Sequence, residues 1–274
     1  MVNTFKEVRN ERFLTETLEN FIDLVKEKKK KRKNDERDNY LSEYKKNLSK
    51  KEEKKFDYFL KWWKPQKNWN IWVGITGSWR YINEQGVEDA SKIIRYLTSR
   101  EIGIINGGAL GFDYITNEIL LGEFDVGKKL RVILPIGREN YKIHYINSVK
   151  IGKINENNAK AISKQIEYID TYYREILFDE SPFDGQKFLA PKNDGYRKEC
   201  YYFRDFLLAN ACDGLIPFWV NNSKGVEDTI KKVRGMEKPV FASLEYQINP
   251  EINEIITDYD KLRIQNMGKK YYKV

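Results

Sequence analysis

Cysteine and histidine are scarce in this sequence of 274 residues. It contains two cysteines, Cys200 and Cys212, and one histidine, His144. The cysteine spacing fits no zinc or redox motif, and a single histidine cannot build a histidine-rich site. These absences argue against a zinc enzyme, and we expect neither a bound metal nor a resident cofactor.

Long apolar runs are also absent. No stretch approaches the roughly 18 apolar residues of a membrane helix. The N-terminal stretch MVNTFKEVRNERFL has neither the apolar core nor the small-residue cleavage site of a signal peptide. Hydrophobic residues make up 41% of the chain and charged residues 33%, which is typical of a core with a solvated surface. We therefore expect a soluble, cytoplasmic protein without a membrane partner.

Positive charge is concentrated at the N-terminus. Residues 1–69 hold 20 Lys and Arg against 13 Asp and Glu, which accounts for most of the net charge of +8. Two apolar stripes at helical spacing predict helices there, separated by the stretch KEKKKKRKNDERD. This stretch contains six consecutive basic residues: Lys28, Lys29, Lys30, Lys31, Arg32 and Lys33. Such a run faces water or a polyanion, so a solvated helix end and a nucleic-acid contact are both open.

From residue 70 onward, short β-branched runs alternate with helical stretches. Runs typical of strands cover 70–77, 102–107, 129–137, 213–220 and 238–243. Stretches typical of helices cover 86–100, 111–122, 204–212 and 225–235. Continuous apolar strands that alternate with helices predict an α/β, Rossmann-like parallel sheet with helices on both faces, preceded by an N-terminal helical segment.

The same pattern divides the chain into three parts. We expect a basic helical segment over 1–68, a Rossmann-like domain over 69–245 and a C-terminal tail over 246–274. Residues 138–198 are too long for an ordinary connection, and we interpret them as an insertion with one helix, over 158–177, and a polar loop.

A glycine turn ends the first predicted strand, at the edge where parallel α/β sheets bind their ligands. In VGITGSWR, Gly77 permits a tight turn, Ser78 carries a hydroxyl and Arg80 is a planar, permanent cation. This combination suits a phosphate. Glycine is also common in such turns for structural reasons alone, and that alternative stays open.

A second glycine turn, NGGALGFD, ends the second predicted strand. Gly107 and Gly108 allow close approach to a ligand, and a helix predicted to begin near Ala109 presents free N–H groups to an anion. Asp113 in that helix either complements the helix dipole or accepts a hydrogen bond from a ribose hydroxyl. Neither turn is a dinucleotide fingerprint or a P-loop, which argues against conventional NAD or ATP binding.

Arg204 is predicted to open the helix 204–212. The helix dipole disfavours a cation at that end, so we expect an anion opposite it. His144 lies among tyrosines and is interpreted as a packed residue rather than a general base.

The stretch NNSKGVEDT follows the fourth predicted strand and leads into a helix predicted from about Val226. Ser223 and Gly225 could form another anion-binding turn. Glu227 and Asp228 lie in the first helical turn, where acids stabilise a helix without any catalytic role.

The motifs VGITGSWR, NGGALGFD, RDFLLANACDGLI and NNSKGVEDTI, in this order over about 70–243, resemble the SLOG superfamily. That superfamily joins the Lonely Guy (LOG) phosphoribohydrolases, the DNA-processing protein A (DprA) family and the YspA/YpsA-like proteins, and the chain looks most like the YspA-like branch. The resemblance implies a Rossmannoid domain that binds a nucleotide or a nucleotide derivative. Carried over by position, the pocket residues would be Gly77, Ser78, Arg80, Gly107, Gly108, Gly111, Asp113, Arg204, Ser223 and Gly225.

Three functions follow from this resemblance. The preferred one is a nucleotide-binding protein or sensor that forms a homo-oligomer. The second is DprA-like binding of single-stranded DNA, which the basic N-terminal segment would suit. The third is a LOG-like N-glycosidase of nucleoside monophosphates that uses Arg204 with Asp228 or Glu227, although the P-G-G of the LOG motif is missing here.

Overall fold

The strands of this protein form a single sheet. The computed structural model describes residues 11–31, 46, 48–63, 71–79, 82–122, 125–190, 194–242 and 244–247. Its strands are β1 (Trp72–Gly77), β2 (Gly103–Asn106), β3 (Leu130–Ile133), β4 (Leu177–Phe178), β5 (Gly214–Val220) and β6 (Leu244–Tyr246). All the pairings between these strands are parallel, in the order β4-β3-β2-β1-β5-β6.

Helices cover the sheet on both sides. They are α1 (Glu11–Lys31), α2 (Lys50–Trp63), α3 (Glu84–Ser99), α4 (Phe112–Leu121), α5 (Val126–Lys129), α6 (Arg138–Lys150), α7 (Glu156–Tyr172), α8 (Gly185–Leu189), α9 (Asp194–Ala211) and α10 (Lys224–Gly235). The predicted α/β, Rossmann-like class is therefore confirmed. Within the described ranges, none of these helices has the length and apolar character needed to cross a membrane.

Two cores form because side chains alternate between the faces of each strand. In β2, Ile104 belongs to one core and Ile105 to the other. The first core also receives α3 and α4, and the second receives α9 and α10. Both N-terminal helices take part: α1 packs Phe21 against Phe241, with ring centroids 5.4 Å apart, and α2 packs Phe56 against Phe206 at 5.2 Å.

The N-terminal helices thus cover opposite faces of the sheet. Each helix packs through an apolar stripe at helical spacing. The division of the chain at residue 68 stays a prediction, since residues 64–70 lie outside the described part of the chain.

Residues 138–198 differ most from the sequence-based prediction. In place of one helix and a polar loop, they contain α6, α7, α8, the start of α9 and the edge strand β4. The helix predicted over 158–177 ends at Tyr172, after which the 3₁₀ turn Arg174–Ile176 leads into β4. Ile169 and Ile176 keep helical spacing across that break, so periodicity alone could not locate it.

The last predicted strand is also displaced. Over the described residues 238–242 the chain makes one isolated bridge, between Val240 and Leu215, and the strand β6 lies at Leu244–Tyr246. Pro239 precedes the bridge and cannot donate a hydrogen bond to a neighbouring strand, which limits pairing there.

Candidate functional site

A cavity of about 650 Å³ opens at the carboxyl ends of β1 and β5. Thr76, Gly77 and Ser78 line it from the end of β1, and residues 220–226 line it from the end of β5 and the start of α10. The chain adds β2, β3 and β4 on one side of β1 and then β5 on the other. Open parallel sheets bind ligands where the strand order reverses in this way, and ligand pockets have volumes of roughly 300–1,000 Å³.

The two glycine turns pack directly against each other. Gly111 has φ of 82°, and a Cβ there would lie 2.1 Å from the carbonyl oxygen of Ser78. A Cβ on Gly77 would lie 2.5 Å from Cβ of Phe112. Glycine at both positions lets the end of β1 meet the start of α4. The helix begins at Phe112, so the predicted start near Ala109 is wrong, because the left-handed backbone of Gly111 cannot continue a helix toward its N-terminus.

Ser78 has a structural partner. Its Oγ donates to the carbonyl oxygen of Val220 and accepts from the Val220 N–H, both at 3.1 Å. The hydroxyl therefore joins the ends of β1 and β5. Arg80, the cation of the same motif, lies outside the described residues.

Arg204 lies in the interior of α9, not at its start. The predicted start at Arg204 is wrong because α9 begins ten residues earlier, at Asp194. The guanidinium nevertheless reaches the second glycine turn: a Cβ on Gly107 would lie 1.2 Å from Nη1 of Arg204. Glycine at 107 is needed to make room for this side chain.

Arg204 lies between two buried carboxylates. Its Nε is 2.7 Å from Oδ1 of Asp205, and its Nη1 is 3.7 Å from Oδ2 of Asp113. Burial lowers the pKa of Arg204, but Asp205 and Asp113 outweigh that effect and hold it above its ordinary value. The positive charge of Arg204 is thus balanced inside the protein.

Burial raises the pKa of Asp113 to about 7, against the opposing effect of Arg204. Burial also raises the pKa of Asp205, again opposed by Arg204. Oδ2 of Asp113 accepts from the Ala109 N–H at 3.2 Å, whereas Oδ1 is buried with no hydrogen-bond partner among the described residues. We name Asp113, Arg204 and Asp205 the floor cluster.

A buried chain of amides holds the second glycine turn in place. Oδ1 of Asn106 accepts from the N–H of Gly108, whose φ is 61°, at 2.9 Å. Asn106 donates to Asn117 at 2.7 Å, and Asn117 donates to Gln165 of α7 at 3.0 Å. The helix α7 therefore supports the glycine turn from the far side of α4.

The start of α10 faces the cavity. The helix begins at Lys224, two residues before the predicted start, and Ser223 is its N-cap residue without a side-chain capping bond. Asn221 and Asn222, just before it, both have left-handed backbones, with φ of 48° and 55°. A Cβ on Gly225 would meet no atom within 4 Å, so this residue borders open space.

Glu227 and Asp228, the candidate catalytic acids, are not among the residues that line the cavity. Glu227 pairs with Lys231 at 2.7 Å, and Asp228 pairs with Lys232. Both contacts are i,i+4 ion pairs along α10, an arrangement that stabilises a helix by itself.

The wall opposite β5 was missed by the sequence-based prediction. It is built from α6, the chain after it and the first turns of α9, through His144, Tyr145, Ser148, Lys153, Asp194, Arg197, Lys198 and Tyr201. Once α9 is known to begin at Asp194, Arg197, Tyr201 and Arg204 share one helical face through i, i+4 and i+7 spacing. That periodicity was the available signal. We name Lys153, Arg197 and Lys198 the insertion-wall cations.

His144 lines this wall as a neutral imidazole at neutral pH. Burial lowers its pKa to about 4, with Arg197 and Lys153 adding to the effect. Its ring packs beside Phe188, with centroids 5.1 Å apart. The interpretation of His144 as a packed residue agrees with these contacts.

The basic run lies at the amino ends of the strands, on the side of the sheet away from the cavity. Lys28, Lys29, Lys30 and Lys31 form the last turn of α1. Nζ of Lys29 is 2.7 Å from Oδ2 of Asp213, which also accepts from the Trp72 N–H at 3.0 Å. These contacts are at the amino ends of β1 and β5. Arg32 and Lys33 fall outside the described residues.

Comparisons with known proteins give one likeness. No family model matches the chain, and no curated protein matches it. Among solved structures, it is similar to DNA processing protein A from Helicobacter pylori, a protein described for its single-stranded DNA binding mode. That match has 18% identity and a TM-score of 0.42, and covers 74% of this chain and 77% of the other.

Within the described ranges, no three His, Cys, Asp or Glu side chains come together as a possible metal site.

Proposed function

We propose that this chain binds a nucleotide or a nucleotide derivative in the cavity, as a ligand-binding protein or sensor. The observation that carries the proposal is the position of the cavity, at the reversal of strand order between β1 and β5. Four sequence motifs that resemble the SLOG superfamily meet there, which supports that family resemblance as well.

The start of α10 is the proposed phosphate site. Lys224, Gly225 and Val226 line the cavity, and the first N–H groups of a helix have no partner within the helix itself. The helix dipole and the exposed Lys224 both favour an anion here. Gly225 leaves room for the phosphate oxygens to approach the backbone.

The floor cluster suits a different part of the ligand. Arg204 is balanced by Asp113 and Asp205, so a phosphate beside it would meet two carboxylates as well as one cation. A group that donates hydrogen bonds, such as a sugar hydroxyl or a base amine, fits that surrounding better. The proposal therefore places the phosphate at α10 and the donor-bearing end toward the floor.

Binding without turnover is favoured over N-glycosidase activity. Glu227 and Asp228 pair with Lys231 and Lys232 along α10, and neither lines the cavity, whereas Arg204 does. Incubation with nucleoside monophosphates, followed by chromatography for free base, separates the two functions. If the wild type releases free base and Asp228→Asn does not, the protein is an N-glycosidase instead.

Binding of a single-stranded DNA end is the second candidate function. Tyr202 is 43% exposed at the cavity lining, next to Tyr201 and near the exposed Lys198. Aromatic side chains beside cations are the usual platform for stacked bases of a single strand. Such binding should weaken steeply with salt, by about 0.7 log units of affinity per phosphate and log unit of salt.

Native mass spectrometry of the purified protein, followed by denaturation and identification of any released nucleotide, tests the main proposal. Calorimetric titration with nucleoside monophosphates then gives affinities for the wild type and for Lys224→Ala. We expect weaker binding by Lys224→Ala, about tenfold, because a charged hydrogen bond contributes about 1.5 kcal/mol or more. Failure to bind any nucleotide would reject the cavity assignment.

The homo-oligomeric state and the division into a basic segment, a Rossmann-like domain and a tail remain proposals. Light scattering during size-exclusion chromatography tests the first. Limited proteolysis near residue 68 tests the second, since a linker between separate units is cut before either unit.

A further inference from the structure

The free positive charge of the cavity lies on its walls and not on its floor. Arg204 has two carboxylates within 4 Å, which leaves no net positive charge in the floor cluster. Lys153 and Lys198 are exposed, and neither makes an ion pair within the described part of the chain. Asp194 of the same wall pairs with Arg197 and not with these lysines, so an anion entering the cavity meets two lysines that hold no ion pair among the described residues.

The insertion-wall cations act on one place. Arg197 and Lys153 both lower the pKa of His144, and Arg197, Lys153 and Lys198 all lower the pKa of Asp194. Arg197 is fixed by two backbone carbonyls, those of Phe188 at 3.1 Å and Ala190 at 2.7 Å. The three cations come from two segments of the chain and line the same side of the cavity, where Arg197 also pairs with Asp194.

This wall is distinct from the proposed phosphate site. Lys224 and Gly225 belong to α10 and follow β5, whereas Lys153 follows α6 and Lys198 belongs to α9. All four residues line the same cavity. A ligand with one phosphate can occupy only one of these two cationic surfaces at a time.

We propose that the ligand carries a second phosphate group, which Lys153 and Lys198 of the insertion wall bind while the first phosphate occupies the start of α10. This inference rests on the proposed nucleotide function and specifies its ligand class. The second phosphate belongs either to a nucleoside bisphosphate or to the next nucleotide of a strand, since both present the same chemistry to Lys153 and Lys198.

Calorimetric titration with matched pairs of ligands tests the inference. The 5′-monophosphates and 3′,5′-bisphosphates of adenosine, guanosine, cytidine and uridine serve as probes. We expect at least one bisphosphate to bind about tenfold or more tightly than its monophosphate, as charge-assisted hydrogen bonds from two lysines imply. The variant Lys153→Ala/Lys198→Ala should reduce this ratio to about one, because the second phosphate then loses both lysines of the insertion wall.

Lys150→Ala/Lys164→Ala is the matched control. These two lysines are also exposed but do not line the cavity, and their substitution removes the same charge. The ratio of bisphosphate to monophosphate affinity should therefore remain that of the wild type. Long-range electrostatics would instead lower the ratio equally in both double variants and would overturn the inference. A wild-type ratio near one overturns it while the proposed function stands, and no binding of any probe rejects both.

A 5′-phosphorylated dinucleotide and a ten-nucleotide single strand distinguish the two sources of the second phosphate. Tighter binding of the bisphosphate than of either strand assigns a small-molecule ligand. Tighter binding of the ten-nucleotide strand, lost in Lys153→Ala/Lys198→Ala, assigns a nucleic-acid end. Binding of every probe that is insensitive to Lys153→Ala/Lys198→Ala contradicts the inference for both sources.

Discussion

The floor cluster predicts that Arg204 is a stability determinant. Arg204→Met keeps most of the side-chain length and removes the charge, which leaves Asp113 and Asp205 buried without their cation. Removal of one partner from a buried ion pair typically costs about 3–5 kcal/mol. We expect a loss of that order in the free energy of unfolding at about pH 8, where Asp113, with a pKa of about 7, is largely ionised beside Arg204 in the wild type.

The same loss should shrink at lower pH. Burial raises the pKa of Asp113 to about 7, so this carboxyl is largely protonated at about pH 5.5 and no longer needs Arg204 as a counter-charge. Arg204→Met/Asp113→Asn should recover part of the stability at about pH 8, because one of the two buried charges is absent.

Urea unfolding followed by tryptophan fluorescence measures both effects, since the chain has six tryptophans. Unchanged slopes against urea would show that the variants differ in stability and not in compactness. Two results would refute the reasoning: wild-type stability of Arg204→Met at about pH 8, or no recovery in the double variant. Lys26→Met, at an exposed ion pair with Asp23, is the control and should lose at most about 1 kcal/mol.

Three further predictions concern buried groups. Burial raises the pKa of Asp113 to about 7, so Asp113 makes the free energy of unfolding fall as the pH rises from about 4 to 7. Burial lowers the pKa of His144 to about 4, so His144 makes the free energy of unfolding rise as the pH rises from about 4 to 6.5. Urea unfolding measured across that pH range should show that Asp113→Asn lacks the fall in stability and that His144→Gln lacks the rise. Gly107→Ala displaces the Arg204 guanidinium, so its cost in urea unfolding should be much smaller when Arg204 is already alanine. Lys238 donates to three carbonyls at the end of α9, and Lys238→Met should cost about 3 kcal/mol or more in the same assay.

Local patterns predicted the sheet well because its strands are buried on both faces. Four of the five predicted strands overlap β1, β2, β3 and β5, which are apolar almost throughout. The glycine turns were also correctly placed at strand ends. Their reason could not be found from sequence, because Gly107 makes room for Arg204, which lies nearly a hundred residues away along the chain.

The role of Arg204 shows the limit of a local argument. Its expected position at a helix start was wrong, yet the side chain does reach the glycine turn that the motifs indicate. The sequence shows Asp205 as its neighbour but not Asp113, since a contact between α4 and α9 depends on the packing of both helices against the sheet. The balance of charge at the floor is therefore a tertiary property.

The basic residues behind the net charge of +8 therefore lie in three different surroundings. Arg204 is neutralised within the cavity, the lysines of the walls are free to meet a ligand, and the lysines that end α1 lie at the opposite edge of the sheet. The seven residues of β5 separate the two edges by roughly 20 Å at about 3.3 Å per residue. A mononucleotide in the cavity cannot reach the end of α1, so any nucleic-acid contact of Lys28–Lys31 belongs to a second, independent surface. Salt dependence measured with small nucleotides reports on the walls of the cavity alone, and only a longer strand can report on both surfaces.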